Sequence, residues 1–322
     1  MTSENTQPLR IVSANMEEGG LDADGSRARW ERTVEAIGAW SPDVVCVQEM
    51  AARRDPRRLR AHLWATANAL GLVPLLGSEG GVSGNHPAVL VRPGRLLVVD
   101  EGPPPRGPGH DPAWCEALLQ ARPDGPVLRV YSVHLPPRSA VEQLMHAERL
   151  AATVAQRGEL AVAAGDWNCF SPDDQVPPGV LAELPPHLRP ARMCATLGQP
   201  LVANYDVHQA LASVGLADAA AGLDPAGRDP AALAPTGKGG GRVDRFYVTQ
   251  ELREAGAVLA YAQKDGGGSD HLMIMITVGL REFAQGGSTR IPAVTAPAGQ
   301  APEQQKGRED AAAATAPLGH RR

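Results

Sequence analysis

Asp166 and Asn168 end an apolar run, Leu160–Ala164, and follow a glycine, so that residues 160–168 read Leu-Ala-Val-Ala-Ala-Gly-Asp-Trp-Asn. A run of this length bounded by Gly fits a strand buried on both faces. Strand alternation puts Asp166 and Asn168 on one side. A carboxylate and a carboxamide aimed together from a strand end suit work on a polar oxygen or a metal and add nothing to a core. Asp, Asn and Gly are also ordinary turn formers, so the rest of the chain must decide. Asn15 follows Leu9–Ala14, Glu49 follows Asp43–Gln48, and His134 ends the run from Val127. Asp244 lies near the start of Val243–Thr249, and Asp270 and His271 precede Leu272–Val278. Starts and ends of antiparallel neighbours meet at one sheet edge, so these groups can converge.

The elements that must position them alternate in type. Trp30, Val34, Ile37 and Trp40 stand at helical spacing within Ser26–Trp40. Asp55-Pro56 reads as an N-cap with Pro at the first helical position, and Leu59, Leu63, Ala67 and Leu70 form one face. Pro87–Arg92 and Leu96–Val99 read as a hairpin around Pro93-Gly94, and Trp114–Ala121 and Val127–His134 as another. Ser139 and Glu142 form a capping box for a helix ending near Gly158. Residues 171–205 are Pro-rich and read as a loop insertion, and Asp206 as the cap of a short helix. Val243–Thr249, Val258–Ala262 and Leu272–Val278 supply the last strands. Hairpins mixed with connecting helices imply mixed sheets with helices outside. Residues 1–8 and 286–322 read as disordered, the latter for its Ala, Pro, Gly, Gln and Thr content.

Bulk composition narrows the class. A chain of 322 residues with 43% apolar content has ample material for a large core. No stretch reaches the roughly 18–20 apolar residues of a membrane helix, and residues 1–8 hold no signal-peptide core. The expectation is a soluble, cytoplasmic protein. The four cysteines, Cys46, Cys115, Cys169 and Cys194, lack metal-cluster spacing. Cys46 reads as a buried small hydrophobe. A net charge of −5, with no Lys/Arg block, disfavours tight nonspecific DNA binding but leaves room for a local basic rim.

Taken in order, Asn15, Gln48-Glu49, His134-Leu135, Gly165-Asp166-Trp167-Asn168, Arg242-Val243-Asp244 and Ser269-Asp270-His271 resemble the endonuclease/exonuclease/phosphatase superfamily with its DNase I-like fold. The resemblance spans about residues 9–280. It implies a four-layer αββα sandwich, two mixed, mostly antiparallel sheets face to face with helices outside, forming a catalytic domain over 9–285. It also implies phosphoester cleavage dependent on Mg²⁺ or Mn²⁺, with a phosphoester partner, nucleic acid among the candidates.

Phosphoester hydrolysis needs an activated water and neutralised phosphoryl oxygens. Mg²⁺ needs one or two carboxylates and keeps several waters. Glu49 is the expected metal ligand, with Asn15 and Asp270 beside it. Asp166 is expected to orient or deprotonate the water, and Asn168 and His134 to donate to the phosphate. His271 is expected to contact the phosphate or act as acid or base, with its tautomer fixed by Asp244. Arg242 reads as structural support for Asp244. Glu79 or His86 is a candidate to orient His134, and Gly237–Gly241 reads as a flexible loop near the site. The exonuclease III-type abasic-site pattern fits less well. Met16-Glu17-Glu18-Gly19-Gly20 replaces Gly-Leu-Arg after Asn15, no catalytic-tyrosine segment lies between Glu101 and Trp114, and Gln143 stands where many relatives have Arg. The expected activity is a phosphodiesterase or nuclease. The alternatives are a phosphatase or phospholipase-type hydrolase, or a non-catalytic binding module on the same fold.

Overall fold

Period-2 alternation builds the sandwich. In the computed structural model, residues 7–50, 56–76, 86–101, 113–121, 125–174, 176, 178–194, 202–223, 230–237 and 239–280 are described. Strand β1 (Leu9–Asn15) passes through helix α1 (Ala28–Gly38) and returns parallel as β2 (Val44–Met50). Helix α2 (Pro56–Leu70) leads to β3 (Val73–Leu76) and β4 (His86–Val91). A meander of β5 (Leu97–Asp100), β6 (Trp114–Gln120) and β7 (Val127–His134) follows. Helix α3 (Ala140–Arg157) then crosses to β8 (Ala161–Asp166), parallel to β7. Next come α4 (Pro178–Glu183), α5 (Arg189–Arg192) and a ribbon of β9 (Met193–Cys194) with β10 (Val202–Ala203). Then α6 (Asp206–Ala212), β11 (Leu216–Asp218) and α7 (Ala219–Gly222) precede β12 (Asp244–Thr249). Helix α8 (Gln250–Glu254), β13 (Val258–Asp265) and β14 (Leu272–Val278) close the fold.

Two six-stranded mixed sheets result, ordered β13-β14-β1-β2-β4-β3 and β11-β12-β8-β7-β6-β5. Ile11, Val44, Cys46 and Val89 of the first sheet meet Val130, Val162, Ala164 and Phe246 of the second in the central core. Their neighbours Val12, Val45 and Val47 face outward, under Trp30, Val34 and Ile37 of α1 and Leu59, Leu63 and Ala67 of α2. On the far side Tyr131, Val133, Ala161 and Ala163 lie under Leu150, Ala151 and Val154 of α3 and Val207 and Leu211 of α6. Four layers follow, as the family resemblance implies. Each fully buried Val or Ile contributes about 1.5–3 kcal/mol, and this packing holds the polar strand ends in place. The α3 cap forms as expected, with Ser139 Oγ accepting from the Glu142 amide at 3.2 Å and Gly158 closing the helix at φ 62°. Among the described residues, no helix is long and apolar enough to cross a membrane.

Three expectations are corrected. Asp206 is the first residue of α6 and not its cap, since Tyr205 holds the N-cap position and no side chain caps the helix. Pro87–Arg92 and Leu96–Val99 do not form a hairpin: β4 pairs with β2 and β3, whereas β5 pairs with β6 in the other sheet. The Pro93-Gly94 turn carries the chain from one sheet to the other, and a local turn signal is the same in both cases. Residues 171–205 are not simply a loop. They hold α4, α5 and the β9–β10 ribbon around a small apolar cluster of Leu184, Leu188 and Met193. Asp55, Glu79, the Pro123-Asp124 turn and the 286–322 tail lie outside the described residues.

Candidate active site

On five strands, the face that supplies the central core turns polar at one end of the sandwich. Leu9 and Ile11 are followed on that face by Ser13 and Asn15, Leu128 and Val130 by Ser132 and His134, and Val162 and Ala164 by Asp166. Cys46 is followed by Gln48, and on antiparallel β12 Asp244 precedes Phe246. The first polar layer is one hydrogen-bonded chain across both sheets. Ser13 Oγ donates to Gln48 Oε1 (3.3 Å), Gln48 Nε2 to Ser132 Oγ (3.1 Å), and Ser132 Oγ to the Val47 carbonyl (2.9 Å). The groups expected to do chemistry form the layer beyond it.

Strict alternation would turn Glu49 away from this layer. A β-bulge in the β2–β4 ladder and a left-handed φ of 56° bring it back. Asn15 Nδ2 donates to Glu49 Oε1 (3.2 Å) and to Asp166 Oδ2 (3.1 Å), and so ties the two sheets' carboxylates together. Asn15 Oδ1 accepts from the Glu17 amide (3.0 Å), and Glu49 Oε2 from the Glu18 amide (3.2 Å). Those amides belong to the first two of four successive residues at positive φ, Glu17 (43°), Glu18 (57°), Gly19 (68°) and Gly20 (73°). Arg29 braces this turn through Glu17 Oε2 (2.7 Å), Asp22 Oδ1 (3.3 Å) and the Leu21 carbonyl (2.8 Å).

Asp166 is the hub. It stands in register with His134 on one side and Asp244 on the other. Its Oδ2 is 3.7 Å from His134 Nε2 and 3.8 Å from His271 Nε2. His134 Nε2 is also 3.7 Å from Glu49 Oε1. His271 Nδ1 is 2.8 Å from Asp244 Oδ2, and its Nε2 is 3.9 Å from Asp270 Oδ1. Burial opposes a charge on the His271 ring, but Asp244, Asp166 and Asp270 override it and lift the ring to about 10. Burial raises the Asp244 carboxyl against the pull of that ring. Thr236 Oγ1 accepts from the Val243 and Asp244 amides (3.0 and 2.9 Å) and its carbonyl from the Leu272 amide (2.7 Å), which joins the strand starts that carry Asp244 and His271. Gly237 lies so close that an added Cβ would fall 3.1 Å from His271 Cε1.

The turn that carries Asn168 is equally fixed. Gly165 approaches β7 so closely that a Cβ would fall 1.8 Å from the Val133 carbonyl oxygen. Asn168 takes φ 51°, and its amide donates to Asp166 Oδ1 at 2.9 Å. Asn168 Nδ2 donates to the Leu135 carbonyl (3.0 Å), and Gln143 Nε2 donates to the Asn168 carbonyl (3.0 Å). Asn168 Oδ1 accepts from Arg192 Nη2 at 3.2 Å. No sequence motif marks Arg192, which lies in a Pro-rich stretch. Burial pulls its guanidinium down, against Asp166, the carboxylate that most supports its charge. Cys169 next to the turn is buried, and burial pushes its thiol up to about 11, which leaves it inert. Arg242 bonds Asp174 (2.8 Å) and Asp218 (2.6 Å), so it supports the β12 start without touching the Asp244 carboxylate. His86 sits at the head of β4 opposite Met50.

The donor set suits a hard divalent cation. Glu49, Asp166, Asp244 and Asp270 offer carboxylate oxygens, and one ligand atom each from Asp166, Asp244 and His271 lie within 4.8 Å of one another. Glu49 and Asp270 side chains are each 20% exposed, which leaves one side open to waters and substrate.

Two mixed six-stranded sheets face to face under outer helices, with a polar site at one end, define a DNase I-like αββα sandwich. The chain belongs to the endonuclease/exonuclease/phosphatase family, whose profile matches residues 12–271. Among solved structures, ANGEL2, a 2',3'-cyclic phosphatase, in complex with adenosine-2',3'-vanadate aligns at TM-score 0.58 and 15% identity, over 86% of this chain and 97% of that one. The AP endonuclease LMAP from Leishmania major aligns at 0.57 and 13%, over 86% and 89%. The endonuclease domain of TRAS1, a telomere-specific non-LTR retrotransposon, aligns at 0.53 and 14%, over 85% and 99%. These likenesses show the fold. By sequence alone the chain matches no curated protein.

Proposed function

We propose that this chain is a divalent-metal-dependent phosphoester hydrolase acting on phosphodiesters, with nucleic acid as the first substrate to test and Mg²⁺ or Mn²⁺ as the ion. The observation that carries this reading is the convergence of His134, Asn15 and His271 on Asp166 Oδ2. Glu49 and Asp270 are the ligands for the ion, with Asn15 holding Glu49 in place. When bound, the ion neutralises phosphoryl oxygens and helps orient the substrate. Asp166 orients the attacking water and takes its proton, a role its central oxygen suits. Asn168 donates to a phosphoryl oxygen: Leu135 takes one Nδ2 hydrogen and no second acceptor is present among the described residues. His134 and His271 place Nε2 atoms on the same side, where charge accumulates as the bond breaks. Asp244 holds His271 Nδ1 and so fixes which ring nitrogen faces the substrate. The structural relatives include a cyclic phosphatase and two endonucleases, all consistent with phosphoester chemistry.

Purified protein with Mg²⁺ should hydrolyse bis-(p-nitrophenyl) phosphate and lose that activity in EDTA. Asp166→Ala and His271→Ala should each reduce kcat by about 100-fold or more with the fold intact. A panel of plasmid DNA, abasic duplex, lipid phosphates and inositol phosphates assigns the substrate. No turnover of any of these with Mg²⁺ or Mn²⁺ would overturn the reading.

A further inference from the structure

Arg192 is 3% exposed and comes from the segment between β8 and β12, outside the motifs that mark the site. Its place is well determined. Its amide donates to the Leu188 carbonyl (3.2 Å), and its own carbonyl accepts from the Asn204 amide (2.9 Å). Leu184, Leu188 and Met193 of the same segment form a small apolar cluster, and Gly239, at φ 84°, approaches so closely that a Cβ would fall 3.4 Å from Arg192 Nη1. A segment with its own apolar cluster therefore presents one guanidinium to the end of β8.

The contact it makes has a definite polarity. A guanidinium only donates and a backbone carbonyl only accepts. Asn168 lies between one of each, Arg192 at Oδ1 and Leu135 at Nδ2, so its carboxamide has a single allowed orientation. The partners of the other Asn168 groups, Leu135, Gln143 and Asp166, belong to β7, α3 and β8 or their immediate ends. Arg192 alone comes from elsewhere in the chain. Without it, Oδ1 is a buried acceptor with no donor, and only the Leu135 carbonyl is left to hold the amide's orientation.

We propose that Arg192 is a positioning residue, which donates to Asn168 Oδ1 and so keeps the Asn168 amino group facing the phosphoryl-binding side of the site. This rests on the reading that Asn168 donates to a phosphoryl oxygen. The 178–194 segment thereby gains a role, since the α4–α5 fold sets the aim of the group at the end of β8 that Arg192 touches. A bidentate-capable fork suits that role better than an ammonium on a flexible stem.

The test is a double-mutant cycle on the full chain with Mg²⁺ and bis-(p-nitrophenyl) phosphate, using Arg192→Ala, Asn168→Ala and both together. Arg192→Ala is expected to lower kcat about 100-fold, as for a misplaced group, with KM changed far less. Millimolar guanidinium chloride should restore part of that loss, and Arg192→Lys should retain more activity than Arg192→Ala. In the Asn168→Ala background, Arg192→Ala should cost almost nothing more. Full additivity, or an unchanged kcat in a folded Arg192→Ala protein, overturns the proposal. If Arg192→Ala does not fold, the same cycle is run with Arg192→Lys. The Asn168 side-chain amide resonance gives a readout independent of turnover. It should shift or broaden in the Arg192 variants, and an unmoved resonance overturns the proposal even if the wild-type chain hydrolyses no substrate on the panel.

Discussion

Asp166 faces Asp244 directly across the β8–β12 ladder, carboxylate opposite carboxylate, with both residues buried. Like charges in such a pairing destabilise a sheet. Glu49 and Asp270 add two more carboxylates, and His271 and Arg192 supply the cations beside them. A divalent ion at the site would offset the repulsion among these carboxylates. Mg²⁺ or Mn²⁺ should therefore raise Tm. At 100 times Kd, binding to the folded state alone is worth about 2.7 kcal/mol, a rise of several degrees. EDTA should reverse the shift, KCl at equal ionic strength should not reproduce it, and Glu49→Gln should shrink it. Calorimetric melts with and without Mg²⁺ check this, and an identical Tm in all conditions rejects it.

Gly165, at φ 157°, is needed for space as well as for its backbone angle. Its would-be Cβ lies 1.8 Å from the Val133 carbonyl oxygen, a backbone atom that cannot step aside. Gly165→Ala should separate β7 from β8 and cost more than about 4 kcal/mol, seen as loss of soluble protein or a collapsed Tm. Gly25→Ala is the control. Gly25 has φ 86° and open space around it, so that variant should lose only about 1–2 kcal/mol. Equal losses in the two would mean that backbone conformation, not crowding, governs Gly165.

Most of the candidate site's placement is legible in the sequence because its residues sit where local patterns end. Asp166, His134 and Asn15 each close an apolar alternation, so their face follows from counting by two. Glu49 would be turned outward by the same count, and only the bulge at β2 redirects it. The Asp244–His271 pairing is legible but its support is not, since Thr236 reaches it by long-range hydrogen bonds. Arg192 carries no sequence signal, because what makes it matter is a contact to Asn168 across 24 residues of Pro-rich chain. The Pro93-Gly94 turn mimics a hairpin for the same kind of reason: which sheet a strand joins is decided by packing partners far away in sequence.

The turn at Glu17–Gly20 stores strain beside the site. An L-residue in the left-handed region costs about 1–2 kcal/mol, and here Glu17 and Glu18 both adopt it. Glu18→Gly keeps the amide that Glu49 accepts and removes one such cost, so it should raise stability by about 1 kcal/mol with metal affinity little changed. Arg29→Ala should do the reverse. It releases Glu17, Asp22 and the Leu21 carbonyl together, and Mg²⁺ affinity measured by titration calorimetry should fall. Unchanged affinity in Arg29→Ala would show that Glu49 holds its place without the braced turn.

Arg242 and Arg245 form a buried quartet with Asp174 and Asp218. Removing one arginine leaves two buried carboxylates to share a single guanidinium. Arg242→Met should cost about 3–5 kcal/mol, while kcat per folded molecule stays near wild type because Arg242 does not touch the Asp244 carboxylate. Urea titration with activity assays below the transition separates the two quantities. A stable but inactive Arg242→Met protein would instead place Arg242 in the chemistry.

In EDTA the histidine share of stability should fall on both sides of pH 6.5, because histidines shift in opposite directions about that ordinary value. Burial lowers His62 and His208, even though a bond to the Gly19 carbonyl favours His62 and nearby Asp173 favours His208. Their unfolded forms bind protons first, so their share of stability is whole above 6.5 and is lost as pH falls through the folded values. His271 is raised to about 10, so its share is whole below 6.5 and is lost as pH rises towards 10. Asp218 is buried, yet Arg242 and Arg245 hold it below its ordinary 3.8, which adds a further loss at strongly acid pH. Tm measured from about pH 4 to about pH 10 should therefore form a dome. His208→Gln should flatten the acid limb and His271→Asn the alkaline one. An acid limb unchanged by His208→Gln would assign the acid loss to His62 and the carboxylates, and an alkaline limb unchanged by His271→Asn would show that the Asp244 pairing does not raise the His271 pKa in solution.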